Sequence, residues 1–222
     1  MKKLPLLLAG ALTVGLLGGC GNSFDAAAYA KALLDNSYKN DSTQFVSMKI
    51  GTAEEAADLY NQGLDANVDA MVASAGGSIS TEQAESFRQV FADIYGGAKY
   101  TVGEAEKQSD GSFVVTITYE QMNVFEPAMT AYMEEVNSMV EEWTAAMTSG
   151  GEVPSEDEMN EQIISKYKDC FVDSLANVTY DEPATATLRI ELVDNVWTPN
   201  QDDVVNLETV FFDMEDALSA IQ

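Results

Sequence analysis

The spacing of apolar residues changes along the chain, and this change limits the fold more than any other feature. From residue 24 to residue 95 apolar residues recur every three or four positions, which predicts three helices. They then alternate with polar residues on both sides of Asp110-Gly111, a pair typical of tight β-hairpin turns. Helical spacing returns after residue 123, alternation after Pro183, and a terminal helix is expected to run to Ile221.

This order of elements predicts an α+β fold. We expect a small antiparallel sheet of three to four strands packed with about six helices, including a long helical hairpin. A cystatin-like and a nuclear-transport-factor-like arrangement both curl an antiparallel sheet around helices and would satisfy the pattern. No low-complexity linker divides the sequence, so residues 24–222 are expected to form a single domain.

Paired polar residues predict where the helices begin. In a capping box a Ser or Thr and a Glu or Gln three residues later each accept a hydrogen bond from the other's backbone N–H. The expected boxes are Thr52 with Glu55, Ser80 with Gln83, and Ser155 with Glu158, and further caps are expected from Asn123 with Glu126 and from Asp202 or Asp203. Residues 42–50 are expected to form an irregular connection.

The clearest helical pattern follows residue 123. Its apolar stripe consists of Phe125, Met129, Tyr132, Val136, Met139, Trp143 and Ala146, with Met133 and Val140 beside it. Such a stripe is usually core, but methionine-rich surfaces also bind varied partners. The candidate interaction surface is therefore Met129, Tyr132, Met133, Val136, Met139 and Trp143.

The N-terminal residues resemble a bacterial lipoprotein signal. Lys2 and Lys3 precede an apolar run, and Leu17-Gly18-Gly19-Cys20 resembles the lipobox, in which the cysteine receives a diacylglycerol and becomes the first residue after cleavage. The run is shorter than the about 20 apolar residues of a membrane-spanning helix. The resemblance implies a signal peptide at 1–19, lipidation at Cys20, a tether at 20–23, and a body anchored at the outer face of the cell membrane.

The charge of the chain limits its partners. The net charge is −26, and it would become −28 on loss of residues 1–19, which contain two lysines and no acid. This charge opposes binding to nucleic acid and to anionic lipid headgroups. An acidic, solvated surface is the simplest interpretation, and a cationic ligand or a positively charged partner is the alternative.

The chain contains no histidine and two cysteines, and this excludes many catalytic sites. Serine–histidine and cysteine–histidine catalysis and histidine-containing zinc sites are excluded. If Cys20 is lipidated, Cys170 has no partner for an intrachain disulfide and is expected to be a small buried residue. The acidic cluster at residues 156–158 lacks the spacing of a calcium loop. We therefore expect no enzyme, no cofactor and no metal site.

Several segments after the lipobox resemble a family of lipoproteins of unknown function from Gram-positive bacteria. These segments are residues 24–29 (FDAAAY), 33–39 (LLDNSYK), 54–60 (EEAADLY), 98–102 (AKYTV) and the Asp110-Gly111 turn. The resemblance implies no catalytic or ligand-binding residues. The predicted function is a non-enzymatic binding or protein-interaction module, and the alternatives are a solute-capturing lipoprotein for a transporter and an envelope hydrolase.

Overall fold

A computed structural model of the chain describes residues 24–75 and 79–214. Cys20 and the predicted signal and tether, at residues 1–23, lie outside the described residues. The helices are α1 (Ala26–Lys39), α2 (Thr43–Ser47), α3 (Ala53–Ala75), α4 (Thr81–Gly97), α5 (Phe125–Ser149), α6 (Glu156–Ala176) and α7 (Gln201–Phe211). The strands are β1 (Lys99–Lys107), β2 (Phe113–Glu120), β3 (Met122–Asn123), β4 (Thr179–Tyr180), β5 (Ala184–Val193) and β6 (Val196–Pro199).

The predicted α+β class is confirmed. Four strands form an antiparallel sheet in the order β1-β2-β5-β6, and β3 and β4 form a separate pair. The predicted hairpin joins β1 to β2, and Gly111 at its turn has a φ of +91°, a conformation that glycine adopts without a steric penalty. The predicted third strand, β5, pairs with β2 so that Val115 lies opposite Leu188.

The core lies between one face of this sheet and the helices. Val115, Ile117, Leu188 and Ile190 alternate along β2 and β5 and are buried, as the period of two requires. Helix α1 packs on this face, and eight of its fourteen residues are buried. A cluster of rings joins α1 to α4 and α7, formed by Tyr38, Tyr95, Phe211 and Phe212.

The three predicted capping boxes are confirmed. Thr52 and Glu55 exchange side-chain bonds with each other's backbone N–H at the start of α3, and Ser80 with Gln83 and Ser155 with Glu158 do so at α4 and α6. These boxes are local, with both partners within four consecutive residues. Local pairs of this kind are what a sequence pattern can predict.

Two other predictions about local structure are wrong. Residues 43–47 form the short helix α2 rather than an irregular connection. Asp41 accepts a hydrogen bond from the Thr43 N–H at its start, and the Phe45 side chain is fully buried in the core. Asn200, not Asp202 or Asp203, caps α7, since its side chain accepts from the Asp203 N–H. The Asp203 carboxylate instead binds Arg189 on β5, both at the backbone N–H and at the guanidinium.

Helix α7 confirms the first part of the predicted terminal helix. Val204, Leu207 and Phe211 are buried on one side of it. The remainder of that prediction, from residue 215 to Ile221, lies outside the described residues.

Candidate functional site

Helices α5 and α6 form the predicted antiparallel hairpin. They are 25 and 21 residues long, and the turn between them begins at Gly150, whose φ of +74° ends α5 in the left-handed conformation. The Ser155 capping box then starts α6. The hairpin thus has a base near residues 125 and 176 and a tip near residues 149–156.

The base is fixed by a residue from the far end of the chain. The buried carboxylate of Asp213 accepts bonds from the backbone N–H groups of Val124, Phe125 and Glu126 at 3.1, 2.9 and 2.9 Å. Burial raises the pKa of Asp213, and these three bonds oppose that shift. Asp213 therefore satisfies the free N–H groups at the start of α5.

The predicted cap from Asn123 and Glu126 is therefore wrong. Val124 is the N-cap residue and makes no side-chain cap bond. The Asn123 side chain donates instead to Thr179 and Asp181 beside the β3–β4 pair. The residue that does the capping lies 89 positions from Val124, and no local pattern indicates such a partner.

Aromatic and charged pairs join α5 to α6. The rings of Phe125 and Phe171 lie 5.2 Å apart near the base, and those of Tyr132 and Tyr167 lie 5.0 Å apart one level higher. Lys166 forms an ion pair with Glu135 at 3.0 Å. The paired residues rise along α5 while they descend along α6, as an antiparallel hairpin requires.

The structure separates the six residues of the predicted interaction surface into three groups. Met139 is buried at 8% exposure, and Met129, Tyr132, Val136 and Trp143 are half-buried. Met133 is exposed at 40%. The predicted stripe is thus mainly the side of α5 that lies along α6, with Met133 outside it.

Two apolar residues outside the predicted set continue the exposed side. Val140 and Met147 follow Met133 at intervals of seven residues and are 48% and 67% exposed. Residues seven apart in a helix lie almost on one line, since two turns contain 7.2 residues. We call Met133, Val140 and Met147 the α5 strip. The spacing of seven was visible in the sequence, but only the structure shows that no described residue covers these side chains fully.

A groove of about 660 Å³ lies between α4 and α6. Apolar residues including Ile79, Phe87 and Ile164 form part of its lining, and Glu82, Asp157 and Glu161 bring carboxylates to it. Glu82 and Asp157 belong to the first turns of their helices, where the helix dipole favours negative charge. The helix starts therefore account for two of the three carboxylates in the groove, whose lining also includes Lys168.

A second buried carboxylate, besides that of Asp213, belongs to Glu208. Glu208 on α7 is 0% exposed and accepts a bond from the Tyr95 hydroxyl at 3.1 Å, and Asn67 donates to the same hydroxyl at 2.7 Å. Burial raises the pKa of Glu208 to about 7, and the Tyr95 bond opposes the shift. Its position fits the spacing 204, 207, 208, 211, so the sequence pattern itself places this acid on the buried side of α7.

Cys170 is buried, as predicted, and forms no disulfide within the described residues; burial raises the pKa of its thiol. Among the described residues no three acidic, cysteine or histidine side chains are grouped so that they could hold a metal ion. In the same part of the chain no helix combines the length and apolarity needed to cross a membrane.

Comparison with known proteins supports the fold. No family model and no curated protein matches the chain. The chain is similar in structure to the crystal structure of YcdA, a predicted lipoprotein from Bacillus subtilis, with a TM-score of 0.52 and 14% sequence identity. The match covers 85% of this chain and 56% of YcdA, so the chain spans about half the length of that protein. At this identity the likeness concerns the fold.

Proposed function

We propose that the chain is a lipid-anchored extracytoplasmic lipoprotein that acts as a non-enzymatic module and binds a protein partner through the α5 strip. The proposed membrane anchor rests on Leu17-Gly18-Gly19-Cys20. The likeness in fold to a predicted lipoprotein of a Gram-positive bacterium agrees with this anchor. It also agrees with membership of a lipoprotein family of such bacteria. The binding role rests on one observation. Three apolar side chains lie exposed on one line of α5.

An aligned strip differs from scattered surface residues. Single exposed apolar side chains are normal, whereas continuous apolar surface is typical of an interaction site. Met133 and Met147 are 14 residues apart, which corresponds to about 21 Å along α5. Half-buried Val136 and Trp143 lie between the exposed members along the chain and widen the apolar surface.

The anchor and the charge together favour a protein as the partner. Two acyl chains on Cys20 would hold the domain stably at the membrane. The net charge of −28 on the body without residues 1–19 would meanwhile repel it from anionic headgroups, so the hairpin would face neighbouring proteins rather than the lipid.

The binding role is tested by cross-linking in the cells that make this protein. A photo-reactive amino acid is placed at position 133, 140 or 147. The control positions are Val46 and Val205, which are exposed apolar residues on other helices. We expect the strip positions, but not the controls, to give one covalent adduct of the same mass, identified by mass spectrometry as another protein. Adducts that are absent, or equal at strip and control positions, would contradict the proposed function.

The anchor is tested separately by acyl labelling. We expect the chain to incorporate a labelled fatty acid and to remain in the membrane fraction, and Cys20→Ser to abolish both. An unlabelled wild-type chain would remove the anchor from the proposal and leave the cross-linking result to stand by itself.

Solute capture stays a prediction, and the α4–α6 groove is the place where it would occur. Its volume suits a small ligand. A ligand whose binding is weakened by Glu161→Gln in the groove and unaffected by changes in the α5 strip would favour this alternative over a protein partner.

A further inference from the structure

We infer that the partner of the α5 strip is a basic amphipathic helix that packs against α5 as the third member of a helical bundle. This inference rests on the proposed function and names the kind of partner. It depends on the order of residues along α5, on their exposure, and on the charges beside them.

Helix α5 has two apolar seams. In a heptad register with Met133 at position a, the side toward α6 contains positions d and g, which include Phe125, Met129, Tyr132, Val136, Met139 and Trp143. The α5 strip occupies three successive a positions. Together with the d positions, which both seams share, it forms the second seam. A helix that pairs with one neighbour needs one seam, whereas a helix in a three-helix bundle needs two.

The second seam has no complete cover among the described residues. Exposure rises along it from 40% at Met133 to 48% at Val140 and 67% at Met147, toward the tip of the hairpin. Val136 and Trp143, at the shared d positions, are half-buried although they lie beside the α6 seam. The space for a third helix therefore opens progressively from the base to the tip.

Charge indicates which helix fits this space. Residues 125–149 contain five glutamates and neither lysine nor arginine. Lys166 pairs with Glu135, but no ion pair within the described residues joins Glu134, Glu141 or Glu142. Glu134 and Glu141 each follow a strip residue, about 100° around the helix, which places a row of carboxylates to one side of the strip. Lysine and arginine side chains that flank the apolar stripe of a partner helix would reach this row.

A second copy of this chain is the less favourable occupant. Each copy without residues 1–19 has a net charge of −28, and two strips in contact would bring the rows of Glu134 and Glu141 together. Like charges across an interface oppose association. A positively charged helix gains from the same carboxylates.

The test uses the chain without residues 1–19 and two synthetic helices as probes. Each fluorescent 21-residue peptide has leucine at its a and d positions, and its flanking positions hold lysine in one peptide and glutamate in the other. We expect the lysine peptide to bind, and its affinity to fall with added salt, because exposed charges are screened. We expect the glutamate peptide to bind at least tenfold more weakly.

Two sets of variants locate the binding. The combination of Met133→Gln, Val140→Gln and Met147→Gln should weaken binding of the lysine peptide at least tenfold. The matched control of Val46→Gln, Leu192→Gln and Val205→Gln changes three exposed apolar residues elsewhere and should leave binding unchanged. Glu134→Gln with Glu141→Gln should weaken binding several-fold and reduce its dependence on salt.

Each contrary result has a defined meaning. Equal binding to the strip and control variants would show that the peptide only senses the net charge, and would overturn the inference. Equal binding of the two peptides would overturn the basic character of the partner. A cellular adduct between two copies, or to a protein segment without basic residues, would overturn this inference while leaving the strip a binding surface, whereas the absence of any specific adduct would count against the proposed function itself.

Discussion

Helices α1 and α5 have similar amphipathic patterns but opposite surroundings. Eight of the fourteen residues of α1 are buried, whereas only Ala128 and Met139 are buried in the 25 residues of α5. The difference arises from neighbours, since α1 packs against α3, α4 and the sheet while α5 packs mainly along α6. Periodicity therefore predicts which side of a helix is apolar, but not how many elements cover that side.

The comparison is tested most strongly by truncating one residue in each helix. Leu33 on α1 is 1% exposed, so Leu33→Ala should lower the free energy of unfolding by about 3 kcal/mol through lost burial and a cavity. Met133→Ala on α5 should change it by less than about 0.5 kcal/mol, because an exposed side chain loses little on truncation. Urea denaturation measures both. Equal losses would show that Met133 is covered as fully as Leu33.

The same contrast explains how much of the structure could be predicted from the sequence. Helices, capping boxes and the Asp110-Gly111 hairpin depend on residues close together in the chain, and these predictions are confirmed. The cap of α5 depends on Asp213, far along the sequence, and the prediction from neighbouring residues failed. Short helix α2 has too few residues to show a period.

The candidate site shows the same limit at the level of single residues. Met133, beside the apolar stripe, was predicted to share one interaction surface with Met139, because both are apolar and lie near the same side of α5. Their exposures of 40% and 8% differ because α6 covers one edge of this surface and not the other. The position of α6 around α5 is a tertiary property that spacing along α5 does not contain.

The buried core can be tested through Glu208, which is the one fully buried glutamate among the described residues. Because the pKa of Glu208 is raised from 4.5 to about 7, the folded state binds a proton that the unfolded state has lost between these two pH values. Stability from this group is therefore full below about pH 4.5 and falls as the pH rises toward 7, by about 3 kcal/mol in total.

Glu208→Gln should remove this dependence, since glutamine does not ionise and can still accept the Tyr95 bond. The measurement is the difference in unfolding free energy between wild type and variant from pH 4.5 to 8. That difference should change in favour of the variant as the pH rises. A difference that stays constant with pH would show that Glu208 ionises in the folded protein as it does in water.

Substitutions at the base of the hairpin should lower the free energy of unfolding more than substitutions at its tip, just as Leu33→Ala should lower it more than Met133→Ala. Asp213→Ala leaves three backbone N–H groups without their acceptor, including that of buried Val124, and should cost about 2 kcal/mol. Ser155→Ala at the tip removes a solvent-exposed cap and should cost about 1 kcal/mol. Asp213→Asn retains one acceptor oxygen and is the control, with a smaller loss than Asp213→Ala. A larger loss at the tip than at the base would reverse the assignment of the anchored end.

The smallest expected effect is the one that most directly concerns the α5 strip. Met133→Gln, Val140→Gln and Met147→Gln together should change the free energy of unfolding by less than about 1 kcal/mol, because glutamine has a helix propensity close to that of methionine. If the strip serves a partner, the isolated domain with these three substitutions loses binding and keeps its stability.

A loss of several kcal/mol would instead mean that another part of this chain covers the strip, and cross-links from position 140 into residues 215–222 would identify that part. Stability and binding measured on the same variant therefore separate a surface that holds the fold together from one that is kept for a partner.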